Sequence, residues 1–217
     1  MSLSPNFGPR RGGLRPELVV LHYTAMADCD AALRVLCSPD REVSAHYLIR
    51  RSGEVIQLVD EQMRAWHAGA GSWCGKDDVN SRSIGIELDN DGTSPFAAPL
   101  MNALERLLPG ILARWSIPPE GVIGHSCMAP GRKIDPGPRF DWQRLARSDL
   151  AVWPKNTPTP TPDPAQFRAD ARAFGFPDVA DDLLLTAARL RFQPWARGPL
   201  DGRDCAIMAE MALRFGA

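Results

Sequence analysis

The feature that most constrains the fold of this chain is a proline-rich segment that begins after Trp153. Five of the twelve residues from Trp153 to Pro164 are prolines. Proline lacks a backbone N–H and has a restricted φ, so this segment favours extended chain over helix or central strand. We therefore predict an interdomain linker over 154–164, between a larger domain at 1–153 and a smaller one at 165–217. A strap packed along a single domain is the alternative.

The larger part alternates strand patterns with helix patterns. Apolar and β-branched runs predict strands, and two of these runs flank a turn at Gly53, as in a β-hairpin. Apolar residues at helical spacing predict two helices, the second with Pro109 inside it. This order predicts an α/β domain with a mixed central β-sheet flanked by helices. The predicted strands are 18–24, 43–49, 54–59, 83–88 and 122–125, and the predicted helices are 28–37 and 100–115.

The smaller part carries only helix patterns. Phe167, Ala171 and Phe174 recur on one helical face, and Gly175 ends that helix. Two further helices are predicted over 179–192 and 204–215. We therefore predict a small three-helix unit, with a core that is marginal for its size.

Composition excludes several classes of protein. Lys and Arg number 25 against 26 Asp and Glu, a net charge of −1, whereas a general nucleic-acid binder normally has a basic excess. No apolar run approaches the roughly 18 residues of a membrane-spanning helix, and 1–16 has no apolar core of a secretory signal. Five cysteines without a CxxC pair favour a reducing compartment over a disulfide framework. We expect either a cytoplasmic protein or one whose export signal lies outside this sequence.

Two histidines at strand ends suggest a metal site. His22 ends one predicted strand and His125 another, and Asp135 follows ten residues later in a loop rich in Gly and Pro. Two histidines and one aspartate are the three protein ligands of many catalytic zinc sites, which leave a fourth position open. Nitrogen ligands suit Zn²⁺ better than Mg²⁺ or Ca²⁺. The alternative is that a histidine at a strand end is structural.

A general base and a cation are also present in the pattern. Glu87 lies in an apolar strand, where desolvation should raise the pKa of its carboxyl group. Lys133, two residues before Asp135, could stabilise the oxyanion of a tetrahedral intermediate. These residues predict metal-assisted hydrolysis of an acyl bond, unless Glu87 is an exposed carboxylate on an edge strand.

Five segments in this order closely resemble the zinc-dependent N-acetylmuramoyl-L-alanine amidases, which are related to peptidoglycan recognition proteins and phage lysozyme-type amidases. The resemblance covers about residues 15–145. The segments are LHYTA at 21–25, SAHYLI at 44–49, AWHAG at 65–69, NSRSIGIEL at 80–88, and GHS followed by APGRKIDPG within 124–137.

The resemblance implies a role for each residue of the predicted site. It implies that His22, His125 and Asp135 bind Zn²⁺, that Glu87 is the catalytic acid/base, and that Lys133 stabilises the transition state. The implied reaction cleaves the amide between N-acetylmuramic acid and L-alanine in peptidoglycan or muropeptides, as in cell-wall degradation and recycling. It also suggests substrate contacts for a further set of residues: Tyr23, Trp66, His67, Trp73 and Asn80. For His67, the alternative is a structural role in its loop.

Three positions depart from the pattern or stand outside it. His46 is expected to be packed or to support the site rather than to bind metal. Cys127 stands where the family commonly has aspartate, which alters the support of the loop and offers a thiolate as an alternative ligand. Ala45 replaces the tyrosine of phage-type members, which groups this chain with the bacterial enzymes that use the glutamate.

The helical part resembles a small peptidoglycan-binding domain through 183–193 and the Asp201–Asp204 turn. The alternative is a bundle that only packs on the amidase. A glycan-binding domain would favour the periplasm or cell envelope, and the missing export signal favours the cytoplasm. We expect an envelope location for a protein whose signal lies outside this sequence.

Two other functions share the same residues. One is a muropeptide-binding or sensor protein that does not cut its ligand, although such proteins typically lose a zinc ligand and none is lost here. The other is a different zinc amidohydrolase on the same fold.

Overall fold

The computed structural model describes residues 3–26, 28–155 and 158–216. Residues 156 and 157 of the predicted linker, and residues 1, 2, 27 and 217 of the predicted domains, lie outside the described residues. Short 3-10 turns occur at Arg11–Gly13, Pro39–Arg41 and Pro119–Gly121. The strands are β1 (Phe7–Pro9), β2 (Leu18–Tyr23), β3 (Tyr47–Ile49), β4 (Val55–Gln57), β5 (Met63–Ala65), β6 (Ser83–Leu88) and β7 (Val122–Gly124). The helices are α1 (Cys29–Cys37), α2 (Val79–Arg82), α3 (Ala98–Trp115), α4 (His125–Met128), α5 (Trp142–Arg147), α6 (Pro164–Phe174), α7 (Asp181–Phe192) and α8 (Gly202–Phe215).

Five strands form the central sheet in the order β4-β3-β6-β2-β7. β3, β6, β2 and β7 are parallel, and β4 pairs antiparallel with β3 at one edge. β2 and β6 are almost continuously apolar, as expected of strands covered on both faces. The predicted α/β class with a mixed central sheet is confirmed. β1 and β5 form a separate two-stranded sheet.

The predicted hairpin and the long helix both form. The hairpin is shorter than predicted, with β3 and β4 joined through Gly53, whose φ is +88°. α3 continues through Pro109, which lies on the exposed face of the helix. α3 ends at Trp115 and is capped by Ser116, which has a left-handed φ of +55°. No described helix, α3 included, is long and apolar enough to cross a membrane.

The sheet divides the core into two layers because side chains alternate along each strand. Val19 and Leu21 of β2 pack with α3 and α5 on one face. Leu18 and Val20 point to the opposite face, where they join a cluster that includes Met128 of α4. The second face therefore carries both apolar packing and the ends of the strands that will form the site.

The helical unit α6–α8 covers this second face. Trp73 from the sheet-containing part meets Phe174 and Phe176 edge to face, at ring-centroid distances of 5.6 and 5.3 Å. The Cys74 N–H donates to the carbonyl oxygen of Gly175 at 2.9 Å. One buried apolar cluster thus contains residues from both sides of the proline-rich segment.

A buried arginine reinforces this contact. The guanidinium of Arg191, at the end of α7, lies 3.7 Å from the ring centroid of Trp142 and donates from Nη2 to the carbonyl oxygen of Val152 at 2.8 Å. Burial lowers the pKa of Arg191 to about 9. The stacking on the indole face and the carbonyl bond offset part of the cost of burying this cation.

The helical unit therefore packs on the sheet-containing part of the chain. The predicted domain boundaries stay a prediction. Residues 158–163 are exposed, although they run against the start of α8, where a Cβ at Gly202 would meet Thr159 at 2.7 Å.

We expect Phe174→Ala to lower the free energy of unfolding by about 3–5 kcal/mol, because it opens a cavity in the shared cluster. Since that cluster spans both parts, urea should unfold the variant in one transition at a lower midpoint. Far-UV circular dichroism and tryptophan fluorescence should give the same midpoint, although five of the six tryptophans precede Pro154.

The control is Leu213→Ala on α8, because Leu213 is 87% exposed and should change stability by no more than about 0.5 kcal/mol. Two separate transitions, with only one of them shifted in Phe174→Ala, would contradict a shared core.

Candidate metal centre

The site lies at the carboxyl ends of β2, β6 and β7. His22 of β2 and Glu87 of β6 are register partners, so their side chains leave the sheet on the same face. His125 follows β7 directly as the first residue of α4. Clefts at the carboxyl ends of parallel strands are common ligand sites in open α/β sheets.

Asp135 brings the two histidines together. Its Oδ2 lies 2.9 Å from His22 Nδ1 and 3.0 Å from His125 Nδ1. The loop that carries Asp135 is tied to α4, because the Ser126 N–H donates to the Asp135 carbonyl oxygen at 2.9 Å. One potential ligand atom from each of these three buried residues lies within 4.8 Å of the others. The structure therefore groups the three predicted metal ligands.

The orientation of His125 is suited to binding a metal. Its Nε2 lies 2.8 Å from the carbonyl oxygen of Ala68. A carbonyl oxygen only accepts, so Nε2 carries the proton and Nδ1 presents a lone pair beside Asp135. Such outer hydrogen bonds are typical of histidines that ligate metals.

Burial sets the protonation states around this group. Burial and the neighbouring His125 lower the pKa of His22 to about 4. Burial would raise the pKa of Asp135, but the adjacent imidazoles of His125 and His22 hold it below its usual value. Burial also lowers the pKa of His67, whose Nδ1 lies 3.0 Å from His22 Nε2, well below its usual value. A neutral imidazole and an ionised carboxylate are the donor forms that zinc requires, so the residues present fit this metal.

Glu87 lies beside the three ligands with one oxygen unpaired. Its Oε2 is buried and has no hydrogen-bond partner among the residues that the structure describes. Burial, and then the charge of Asp135, raise the pKa of Glu87 well above its usual value. An unpaired buried carboxyl oxygen at a cavity wall is available to a proton of a bound molecule.

These groups line a cavity of about 580 Å³. Tyr23, Trp66 and His67 line it, as the predicted substrate contacts would require. Lys133 is exposed at its rim and forms no ion pair within the described part of the chain. The apolar lining is supplied by Ala32, Val35, Leu36, Val43 and Ile134.

Asn80 and Trp73 lie elsewhere. Asn80 is buried beneath the cavity, where its Oδ1 accepts from the backbone N–H groups of His67 at 3.0 Å and Ala68 at 2.8 Å. Trp73 is buried against the helical unit. Neither is among the described residues that line the cavity, so a direct substrate contact does not follow from their positions.

The structure also shows the surroundings of His46 and Cys127. The Nδ1 of His46 accepts from the Gly85 N–H at 2.9 Å, which agrees with a packed role. Cys127 is buried in the cluster shared with the helical unit, and burial raises the pKa of its thiol. It is not part of the ligand group found among the described residues, so its position gives no support to a thiolate ligand.

Arg132 is a site residue that sequence reasoning missed. Its Nη2 donates to the carbonyl oxygen of Ala68 at 2.6 Å and lies 3.2 Å from His125 Nε2. The sequence signal for Arg132 was its position as a second cation next to Lys133 in the same loop. The role of the Ala68 carbonyl could not be read from the sequence, because every residue has a backbone carbonyl.

Comparisons with known proteins agree on one family. Residues 12–138 match the family model described as N-acetylmuramoyl-L-alanine amidase. The N-acetylmuramoyl-L-alanine amidase AmiD of Escherichia coli is 35% identical over 93% of this chain and 84% of its own length. The 1,6-anhydro-N-acetylmuramyl-L-alanine amidase AmpD of the same organism is 41% identical over 65% of this chain and 87% of its own length.

Solved structures extend the match over nearly the whole chain, including the helical unit. E. coli AmiD, in complex with the substrate anhydro-N-acetylmuramic acid-L-Ala-D-γ-Glu-L-Lys, has a TM-score of 0.83 at 32% identity. That match covers 97% of this chain and 98% of the other. AmpDh3 of Pseudomonas aeruginosa, in complex with anhydromuramic pentapeptide, has a TM-score of 0.85 at 30% identity and covers 100% and 97%.

We expect Glu87→Gln to stabilise the zinc-free protein at pH 7.5 and to lose this effect near pH 4.5. The raised pKa means that the folded state holds a proton which the unfolded state releases above about pH 4.5, so the stability of the parent protein falls as pH rises through that window. The amide carries no such cost. Urea unfolding at the two pH values measures the difference.

The exposed Glu42 supplies an isosteric control, because Glu42→Gln removes a carboxylate that burial does not penalise. A gain for Glu87→Gln that is equal at both pH values would contradict a burial cost on the charged form.

Proposed function

The chain belongs to the N-acetylmuramoyl-L-alanine amidase family, and we propose that its reaction uses a zinc ion held by His22, His125 and Asp135. The protein is a hydrolase of the amide between N-acetylmuramic acid and L-alanine in peptidoglycan or muropeptides. The observation that carries the metal proposal is the single Asp135 oxygen that faces Nδ1 of both histidines, beside an unpaired oxygen of Glu87.

Each side chain has a distinct task in this reaction. Zinc, when bound at such a site, supplies Lewis-acid catalysis and promotes ionisation of water. Glu87 accepts the proton of the attacking water and delivers it to the nitrogen of L-alanine as the C–N bond breaks. Its raised pKa suits this transfer, because burial weakens the preference for the charged form that a free glutamate has at neutral pH.

Lys133 has an electrostatic role in the reaction and does not transfer a proton. Its ammonium group stands at the cavity rim, with no competing carboxylate ion pair in the described chain. There it stabilises the negative charge that develops on the carbonyl oxygen of the lactyl group. Arg132 contributes a second positive charge to the same wall.

We propose that the substrates include soluble 1,6-anhydromuropeptides. AmiD and AmpDh3, which match this chain over nearly its whole length, are described in complex with such ligands. A cavity of about 580 Å³ has the size of a typical site for a small organic ligand. Arg132 and Lys133 complement the carboxylates of a stem peptide.

Location and glycan binding stay predictions. An envelope location would follow if the helical unit bound glycan, and cell fractionation of the natural host would test it. The shared apolar cluster supports a packing role for this unit, which does not by itself exclude a glycan-binding surface elsewhere on it.

We expect a chelator to abolish cleavage and zinc to restore it. Glu87→Gln should retain zinc but lose roughly 10²–10⁴-fold in kcat, because it can no longer transfer the proton. Mass spectrometry of peptides released from intact sacculi and from soluble anhydromuropeptide, together with the zinc content, provides the measurement.

A zinc-loaded protein that binds muropeptide without releasing peptide would instead support the sensor function. Full activity in Glu87→Gln would refute the acid/base role.

We expect Lys133→Met to lower kcat by roughly 10²–10³-fold, the usual cost of removing a group that stabilises developing charge. The change in KM should be smaller, because the charge is largest in the transition state. Steady-state kinetics on the soluble substrate separates the two constants.

Lys155→Met is a matched control, since Lys155 is exposed and is not among the described residues that line the cavity. An increase in KM with unchanged kcat in Lys133→Met would assign Lys133 to substrate binding alone.

A further inference from the structure

A row of hydrogen bonds connects His22 to the backbone carbonyl of Val79, which is not among the described residues that line the cavity. His22 Nε2 lies 3.0 Å from His67 Nδ1, and His67 Nε2 lies 3.1 Å from Ser83 Oγ. The Ser83 hydroxyl lies 2.6 Å from the carbonyl oxygen of Val79. The row thus begins at a metal ligand and ends at α2.

The carbonyl at the end of the row determines where every proton lies. Val79 can only accept, so the Ser83 hydroxyl donates to it and accepts from His67 Nε2–H. The neutral ring of His67 then has a lone pair at Nδ1 and accepts from His22 Nε2–H. His22 is left with a lone pair at Nδ1, on the side of Asp135.

This arrangement opposes the preference of an isolated histidine–aspartate pair. Asp135 alone would draw the His22 proton to Nδ1, where it could be donated to the carboxylate. A proton at Nδ1 occupies the lone pair that a metal needs. The row through His67 favours the opposite tautomer, which leaves that lone pair free.

Neighbouring residues hold the His67 ring in this position. A Cβ at Gly85 would lie 2.7 Å from His67 Nδ1, so only glycine at that position of β6 leaves room for the ring. Asn80 Oδ1 holds the backbone N–H groups of His67 and Ala68. The Ala68 carbonyl meets His125 Nε2, so two consecutive residues contact the outer nitrogens of both histidine ligands.

We propose that His67 is a positioning residue of the metal centre, which fixes the orientation of His22 and its Nε2–H tautomer through Ser83 and the Val79 carbonyl. The proposal rests on the proposed zinc site. It gives His67 a role in addition to the substrate contact predicted from the sequence. Ser83 and Gly85 support this role, because Ser83 fixes the tautomer of His67 and Gly85 leaves room for its ring.

Two substitutions at His67 test the proposal. His67→Phe keeps a ring of similar size but cannot accept from His22, and we expect the zinc dissociation constant to rise by roughly 10–100-fold. His67→Gln retains an acceptor oxygen and should stay closer to the parent value. Competition with a chromogenic zinc chelator measures the constants, and circular dichroism verifies folding.

The tautomer supplies a second readout that a purely structural role would not change. In the metal-free protein, ¹⁵N NMR of the histidine rings should show the His22 proton at Nε2 and should show it moved to Nδ1 in His67→Phe. Ser83→Ala should shift both readouts in the same direction and keeps the test available if His67→Phe does not fold.

Ser4→Ala is the matched control. Like Ser83, Ser4 is buried and donates at 2.6 Å to a backbone carbonyl, that of Leu36, but it has no link to the metal ligands. It should leave zinc affinity and the His22 tautomer unchanged.

Parent-like zinc affinity together with an unchanged His22 tautomer in both His67→Phe and Ser83→Ala would overturn the proposal. A parent protein that binds no zinc would overturn the proposed function, and the tautomer in the metal-free protein would then still decide the role of His67.

Discussion

The alternation of side chains on β2 and β6 is the constraint on which the rest of the molecule depends. In each strand, one set of residues packs under α3, and the other set lies on the face that carries the metal centre at the strand ends. On β6 that second set is Ser83, Gly85 and Glu87. Ser83 forms a hydrogen bond with His67, and Gly85 leaves space for the His67 ring. Glu87 provides the carboxyl group that transfers the proton. A register shift of one residue would exchange the core with the site, and it would turn His22 and Glu87 into the apolar layer under α3.

Low polarity around the site acts on all of its groups together. The same burial keeps His22 neutral and favours the protonated form of Glu87, while the two adjacent imidazoles hold the pKa of Asp135 below its usual value. The cations Arg132 and Lys133 remain exposed at the rim, where a substrate can reach them. The buried side chains thus favour binding of a metal ion, and the positive charges at the rim favour binding of an anion.

Residue type and local pattern were enough to predict the α/β class and to select His22, His125, Asp135 and Glu87, because strand ends and ligand types are local signals. Contacts between distant segments were not predictable. Nothing in the spacing of Asn80 indicates that its amide holds the backbone of the segment at 67–68. Likewise, the apolar face of α6 indicates burial but not its partner, and short elements such as α2 and α4 carry too few residues to show a period.

The contact between Trp73 and Phe174 bears on how such a chain can change during evolution. A proline-rich joint would ordinarily permit recombination, with one terminal module exchanged for another at no cost to the partner. Here an exchange at that joint would strip apolar cover from the sheet face that supports α4 and His125. The C-terminal helices are therefore expected to be inherited together with the catalytic sheet rather than shuffled.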